Sequence, residues 1–114
     1  MAAMTTALTV FSNTANSRLY TAPSHTVVKP AIVVQRRRVP TGADGLAHNE
    51  LNVSFGTTDV DGNPLDRKWF FGATARGPVN GDADDRAAAL ALFREMVASD
   101  EFAAMILTQN YIKA

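Results

Sequence analysis

Three consecutive arginines, Arg36, Arg37 and Arg38, close the β-branched run AIVVQRRRV at residues 31–39, which stops at Pro40. Guanidinium groups present a planar fork of donors that suits phosphate oxygens. On a strand, Arg36 and Arg38 share one face and Arg37 takes the other, and at a strand end the twist and the break at Pro40 expose all three. The polar positions on the neighbouring runs are Asn52 and Ser54 in NELNVSF, then Lys68, Thr74 and Arg76 in RKWFFGATAR. Guanidiniums, an ammonium, an amide and hydroxyls on one flat surface suit phosphates and unstacked bases. The competing reading is a solvated charged face, or protection of a sheet edge against aggregation. An arginine triplet alone does not separate the two.

The elements that must carry these residues change period along the chain. The runs TALTVFS (6–12) and SRLYTA (17–22) flank NTAN and read as a hairpin. HTVV (25–28) reads as a short strand ending before Pro30, and 31–39 as the next. NELNVSFGT (49–57) alternates: Leu51, Val53 and Phe55 point one way, while Glu50, Asn52 and Ser54 point the other. DGNP is a turn signal, and the short connection makes the runs on either side an antiparallel pair. Trp69 and Phe71 fall in one phase and read as core packing. Phe70 then stands on the polar side, although the reverse phase is equally compatible with the sequence.

After Gly81 the pattern becomes helical. DADDRAAALALFREMVAS puts acids in a first turn, where the helix dipole favours them, and aligns Leu90, Phe93 and Val97 on one face, widened by Ala89 and Met96. Ser99 is placed to cap a second helix whose stripe includes Phe102, Met105 and Ile106. The expectation is an α+β chain in one domain over 1–114: an N-terminal β-hairpin (6–22), an antiparallel meander sheet (25–78) and two C-terminal helices (82–112). Two short helices cover only part of such a sheet. The remaining apolar face, with Leu51, Val53, Phe55, Trp69 and Phe71, needs a partner, and an identical chain is the simplest one. An intertwined dimer with a continuous sheet follows, its core completed by Leu90, Phe93, Val97, Phe102 and Ile106.

The totals narrow the function classes. The 114 residues carry 11 basic and 11 acidic side chains, so wrapping nucleic acid by bulk charge alone is disfavoured. The charge is unevenly spread: residues 82–101 hold six acids and two bases, leaving nine bases against five acids elsewhere. One face can therefore be basic in a neutral chain. Cysteine is absent, which removes disulfides and thiolate metal sites. The opening MAAMTTALTVF lacks the basic and long apolar regions of a secretory signal, and no uninterrupted apolar run is long enough to span a membrane.

An enzyme finds little support. His25 and His48 sit in no recognisable catalytic spacing, and no cofactor is implied. Asp59 and Asp61 lie two apart at a turn, but the further oxygen ligands of a calcium loop are missing, so turn capping is the expected role and no metal site is assigned.

The end of the chain, DADDRAAALALFREMVASDEFAAMILTQNYIKA, resembles the end of coat proteins of the single-stranded RNA bacteriophages (levivirus-like). The shared features are the acidic helix start at Asp84 and Asp85, the Leu/Ala-rich run, the break at Ala98, Ser99 and Asp100, a second amphipathic helix, and the final Gln109, Asn110, Tyr111 and Ile112. An opening hairpin and strand meander are shared too. The segment DVDGNPLD is shorter than the family's usual connection before the last strand. The resemblance implies a homodimer whose sheets join and whose helices lie across the partner's sheet. It also implies an icosahedral shell, formed in the cytoplasm of a bacterial host and found in the virion, with an inner sheet face that binds single-stranded viral RNA. A stem-loop on that face would repress replicase translation. The RNA contacts it implies are Arg36, Arg37, Arg38, Asn52, Ser54, Lys68, Thr74 and Arg76. The rival is a non-viral dimeric sheet that binds nucleic acid without forming a shell.

Overall fold

The computed structural model describes residues 4–42, 44–109 and 111. The chain divides into two compact units, a sheet unit ending at Val79 and a helical unit beginning at Asn80. Five strands, β1 (Thr9–Asn13), β2 (Ser17–Thr21), β3 (Ala31–Arg38), β4 (Leu46–Phe55) and β5 (Trp69–Pro78), precede two helices, α1 (Ala83–Val97) and α2 (Asp100–Thr108). The strands pair in chain order, each antiparallel to the next. The α+β succession of hairpin, meander and two helices is thus the one that the sequence predicts.

The run at 25–28 is not a strand, which corrects the expectation. Short-range hydrogen bonds shape this segment instead of a ladder. The Ala31 amide donates to Nδ1 of His25 (3.0 Å), the Lys29 amide to Oγ1 of Thr26 (2.9 Å), and the His25 amide to the Ala22 carbonyl (3.0 Å). Side-chain acceptors of this kind compete with ladder pairing and bend the chain. Several strand boundaries also move. β4 begins at Leu46 rather than at 49, because the arginine end of β3 continues the ladder: Arg37 pairs with Asn49 and Arg38 with His48. β5 begins at Trp69, so Lys68 precedes the strand. Asn110 and Ile112 of the terminal motif lie outside the described residues.

β3 sits between two neighbours and supplies the buried apolar residues of the described chain, Ala31 (2% exposed) and Val33 (8%). The apolar phase of β4 and β5 is much more open. Trp69 is 57% exposed, and its ring stacks on Phe71 with centroids 6.3 Å apart and planes inclined by 19°. The connection between these strands is short because DGNP folds tightly. Oδ1 of Asp59 accepts from the amides of Asp61 and Asn63, both at 2.9 Å, and Gly62 takes a left-handed φ of 85° that glycine adopts without strain. Asp59 is therefore a turn residue, and its carboxyl is held below the usual carboxylate range, first by the backbone hydrogen bond from Asn63.

In the helical unit, Asp82 caps α1 by accepting from the Asp84 amide at 3.0 Å, with Asp84 and Asp85 in the first turn. Ser99 joins the helices in two ways. Its hydroxyl donates to the Met96 carbonyl at the end of α1 (2.6 Å) and accepts from the Phe102 amide at the start of α2 (3.1 Å). Gln109, in a left-handed conformation (φ 59°), ends α2. Leu90, Phe93 and Val97 are exposed, while Phe102 and Ile106 are half-buried. Since Ser99 satisfies one group from each helix, Ser99→Ala is expected to cost about 1 kcal/mol of stability. Thermal unfolding of the variant against the parent chain, followed by circular dichroism at 222 nm, measures that loss.

Candidate nucleic-acid interface

Directly paired residues on neighbouring strands share a face, so the register of β3, β4 and β5 fixes which side chains stand together. On one face the rungs read Arg38–His48–Arg76, Arg36–Glu50–Thr74, Val34–Asn52–Gly72 and Ile32–Ser54–Phe70. On the other they read Arg37–Asn49–Ala75, Gln35–Leu51–Ala73, Val33–Val53–Phe71 and Ala31–Phe55–Trp69. One face is polar and cationic, most strongly at the rung nearest the β3–β4 connection. The other is mainly apolar.

The polar face gathers Arg36, Arg38, Asn52, Ser54, Thr74 and Arg76 from three adjacent strands, and Phe70 joins them beside Ser54. This resolves the aromatic phase: Trp69 and Phe71 share the opposite face with Phe55 and Val53. Arg37 stands on that opposite face as well. Its Nη2 donates to the Ala15 carbonyl in the hairpin loop at 3.3 Å, and with Arg18 and Gln35 it lines a small polar cavity there. Lys68 precedes the ladder and has no place in the rungs. A shallow depression beside the cationic rung is bounded by Arg38, His48 and Arg76 together with Val39, Pro40, Gly42, Asp44 and Gly45.

Two residues that sequence reasoning did not select, Glu50 and His48, organise this face. Oε1 of Glu50 accepts from Nδ2 of Asn52 at 2.7 Å and lies 3.9 Å from Nη1 of Arg36. Oε2 lies 3.7 Å from Nε2 of His48, whose Nδ1 accepts from Nε of Arg76 at 3.4 Å. With Nδ1 as the acceptor, Nε2 is left to carry the proton that faces Glu50. The Asn52 hydrogen bond holds the Glu50 carboxyl below its ordinary range against the opposing effect of burial, with lesser help from Arg36 and then His48. Alternation alone placed Glu50 in the polar phase. Its opposition to Arg36 and Thr74 appears only once the register is known.

Asn52 is the buried polar side chain of the described residues, 9% exposed, and Gly72 makes room for it. A Cβ at residue 72 would lie 2.5 Å from Oδ1 of Asn52 and 3.4 Å from the Phe70 ring. Glycine therefore lets the Asn52 amide lie across β5 while its other end fixes Glu50. Among the described residues, no group of three or more His, Asp or Glu is arranged to hold a metal ion, and no helix is long and apolar enough to cross a membrane.

This sheet-and-two-helix arrangement is the fold of levivirus-like coat proteins. The chain superposes on the subunit of the virus-like particle of Wenzhou levi-like virus 4 with a TM-score of 0.78 at 18% identity, over 94% of this chain and 77% of that one. The subunit of the virus-like particle of Beihai levi-like virus 21 gives 0.76 at 9% identity, over 96% and 89% of the two chains. The bacteriophage EMS014 coat protein gives 0.61 at 13% identity, over 87% and 79%. No protein-family model matches the sequence, and no curated protein does.

Gly72→Ala is expected to destabilise the chain by about 1–3 kcal/mol, because the added methyl displaces a buried amide rather than filling space. Urea unfolding of the two forms checks this. The loss should be smaller in an Asn52→Ala background, where the obstructing amide is gone.

Proposed function

We propose that the chain is the subunit of a capsid. In this reading two copies associate through their apolar sheet faces and helices, many such dimers close into an icosahedral shell, and the polar face looks inward at single-stranded RNA. The role is structural rather than catalytic. The chain would assemble in the cytoplasm of a bacterial host and reside in the virion.

One observation carries the reading. The register puts arginines, amide, hydroxyls and Phe70 on one face and the apolar set on the other, in a fold shared with particle-forming proteins. Both faces then have a use. Leu51, Phe55, Trp69 and Phe71 are exposed in the single chain, as are Leu90, Phe93 and Val97 of α1. Fully burying a side chain of this size is worth about 1.5–3 kcal/mol, so a second copy that covers them stabilises both. The polar face presents donors suited to phosphates and to the base edges of unpaired nucleotides. A stem-loop held there would let the same subunit repress translation from its message. Lys68, just ahead of β5, would extend the cationic rim.

Two measurements test this. Purified protein should elute in the void volume of a size-exclusion column and show closed particles by negative-stain microscopy. A species no larger than a dimer would instead support a nucleic-acid-binding sheet that forms no shell. The double variant Arg36→Ala/Arg38→Ala should lower the nucleic-acid content of purified material, read from its absorbance ratio at 260 and 280 nm. It should also flatten the salt dependence of RNA binding by about 0.7 for each phosphate that an arginine no longer neutralises. Arg37→Ala, changed on the opposite face, should leave that slope as it was.

A further inference from the structure

A carboxylate in the middle of a phosphate-binding surface repels phosphate, so Glu50 needs its own account. It is flanked in its rung by Arg36 and Thr74, and the next rung holds Arg38, His48 and Arg76. Its side chain is 29% exposed, so it is reachable from solvent. It is also fixed more firmly than charge balance requires. The buried Asn52 amide donates to Oε1 at 2.7 Å, and that amide lies where it does because residue 72 has no side chain. The result is a rigid, solvent-facing pair of acceptor oxygens on a face otherwise built of donors. Each oxygen keeps a free lone pair: Oε1 spends one on Asn52, while Nη1 of Arg36, 3.9 Å from Oε1, and the imidazole, 3.7 Å from Oε2, stand beyond hydrogen-bonding distance.

The ligand that fits a fixed pair of acceptors carries two adjacent donors. Among the bases, guanine alone has this on its Watson–Crick edge, with N1–H beside the N2 amino group. Adenine and cytosine each set an amino donor beside an acceptor nitrogen, and uracil has one imino donor between two carbonyls. Unpaired bases splayed from a loop expose these edges, and arginines on the adjoining rung are placed for the flanking phosphates. We propose that Glu50, held by Asn52 over Gly72, is the specificity-determining residue of this face and selects an unpaired guanine. The inference rests on the reading that the polar face binds single-stranded RNA.

The test uses the full chain and fluorescein-labelled pentanucleotides UUGUU, UUAUU, UUCUU and UUUUU, titrated by fluorescence anisotropy at one salt concentration. The parent chain should bind UUGUU at least about fivefold more tightly than the other three, the lower end of what a good bidentate base contact provides. Inosine lacks the amino group, so UUIUU should fall between UUGUU and UUUUU. This arm needs no altered protein. In Glu50→Gln one acceptor becomes a donor. The guanine preference should vanish, while affinity for UUUUU stays equal or rises because a negative charge has left a cationic face. Equal binding of all pentamers by the parent chain, inosine binding as tightly as guanine, or a guanine preference that survives Glu50→Gln would each overturn the role of Glu50 and leave the RNA-binding face standing. If no pentamer binds at all, both readings fall.

Discussion

The strand pairing of β3, β4 and β5 is the constraint on which the rest of the structure depends. Side chains alternate along a strand with a period of two, so sliding β4 by one residue against β3 would move every side chain of one strand to the other's opposite face. The observed register brings Arg38 beside His48 and Arg76, and Arg36 beside Glu50 and Thr74. It also brings Val33 beside Val53 and Phe71, and Ala31 beside Phe55 and Trp69. The charged and apolar sets are each contiguous only in this alignment. The tight Asp59 turn between β4 and β5 and the continuation of the ladder out to Arg38 hold it in place.

The apolar side of this arrangement is unfinished in one chain. A sheet normally buries one face against a second layer, because its inward side chains cannot otherwise leave water. Here only the central strand buries apolar side chains among the described residues, while the aromatic residues of β5 and the stripe of α1 remain open. The stacking of Trp69 on Phe71 reduces that exposure without removing it. The apolar side chains that the sequence supplies for a core thus share one phase and stay largely exposed. Association with a second copy is the reading that uses them.

On the polar side, the balance of charge matters more than the number of arginines. Glu50 tempers the face locally, lies beside Arg36 and His48, and is itself held by a buried amide over a glycine. A surface made only of cations would hold any polyanion. One that includes a fixed acceptor pair can distinguish what it holds, because a misplaced phosphate meets repulsion where a suitable base meets a hydrogen bond.

The sequence by itself determined the order of elements, the α1 and α2 starts at Asp82 and Ser99, the DGNP turn, and the separation of Leu51, Val53 and Phe55 from Asn52 and Ser54. All of these depend on groups close together in the chain: caps, turn geometry and the two- and 3.6-residue periods. The tertiary structure decided what depends on strands meeting. It placed Phe70 with Ser54, set Arg37 apart from Arg36 and Arg38, and put Lys68 ahead of the ladder. It joined Glu50 to Arg36, His48 and, through Asn52, to Gly72. None of these pairings could be read from the chain, because the alignment of one strand on another is a long-range choice made by the packing of both faces at once.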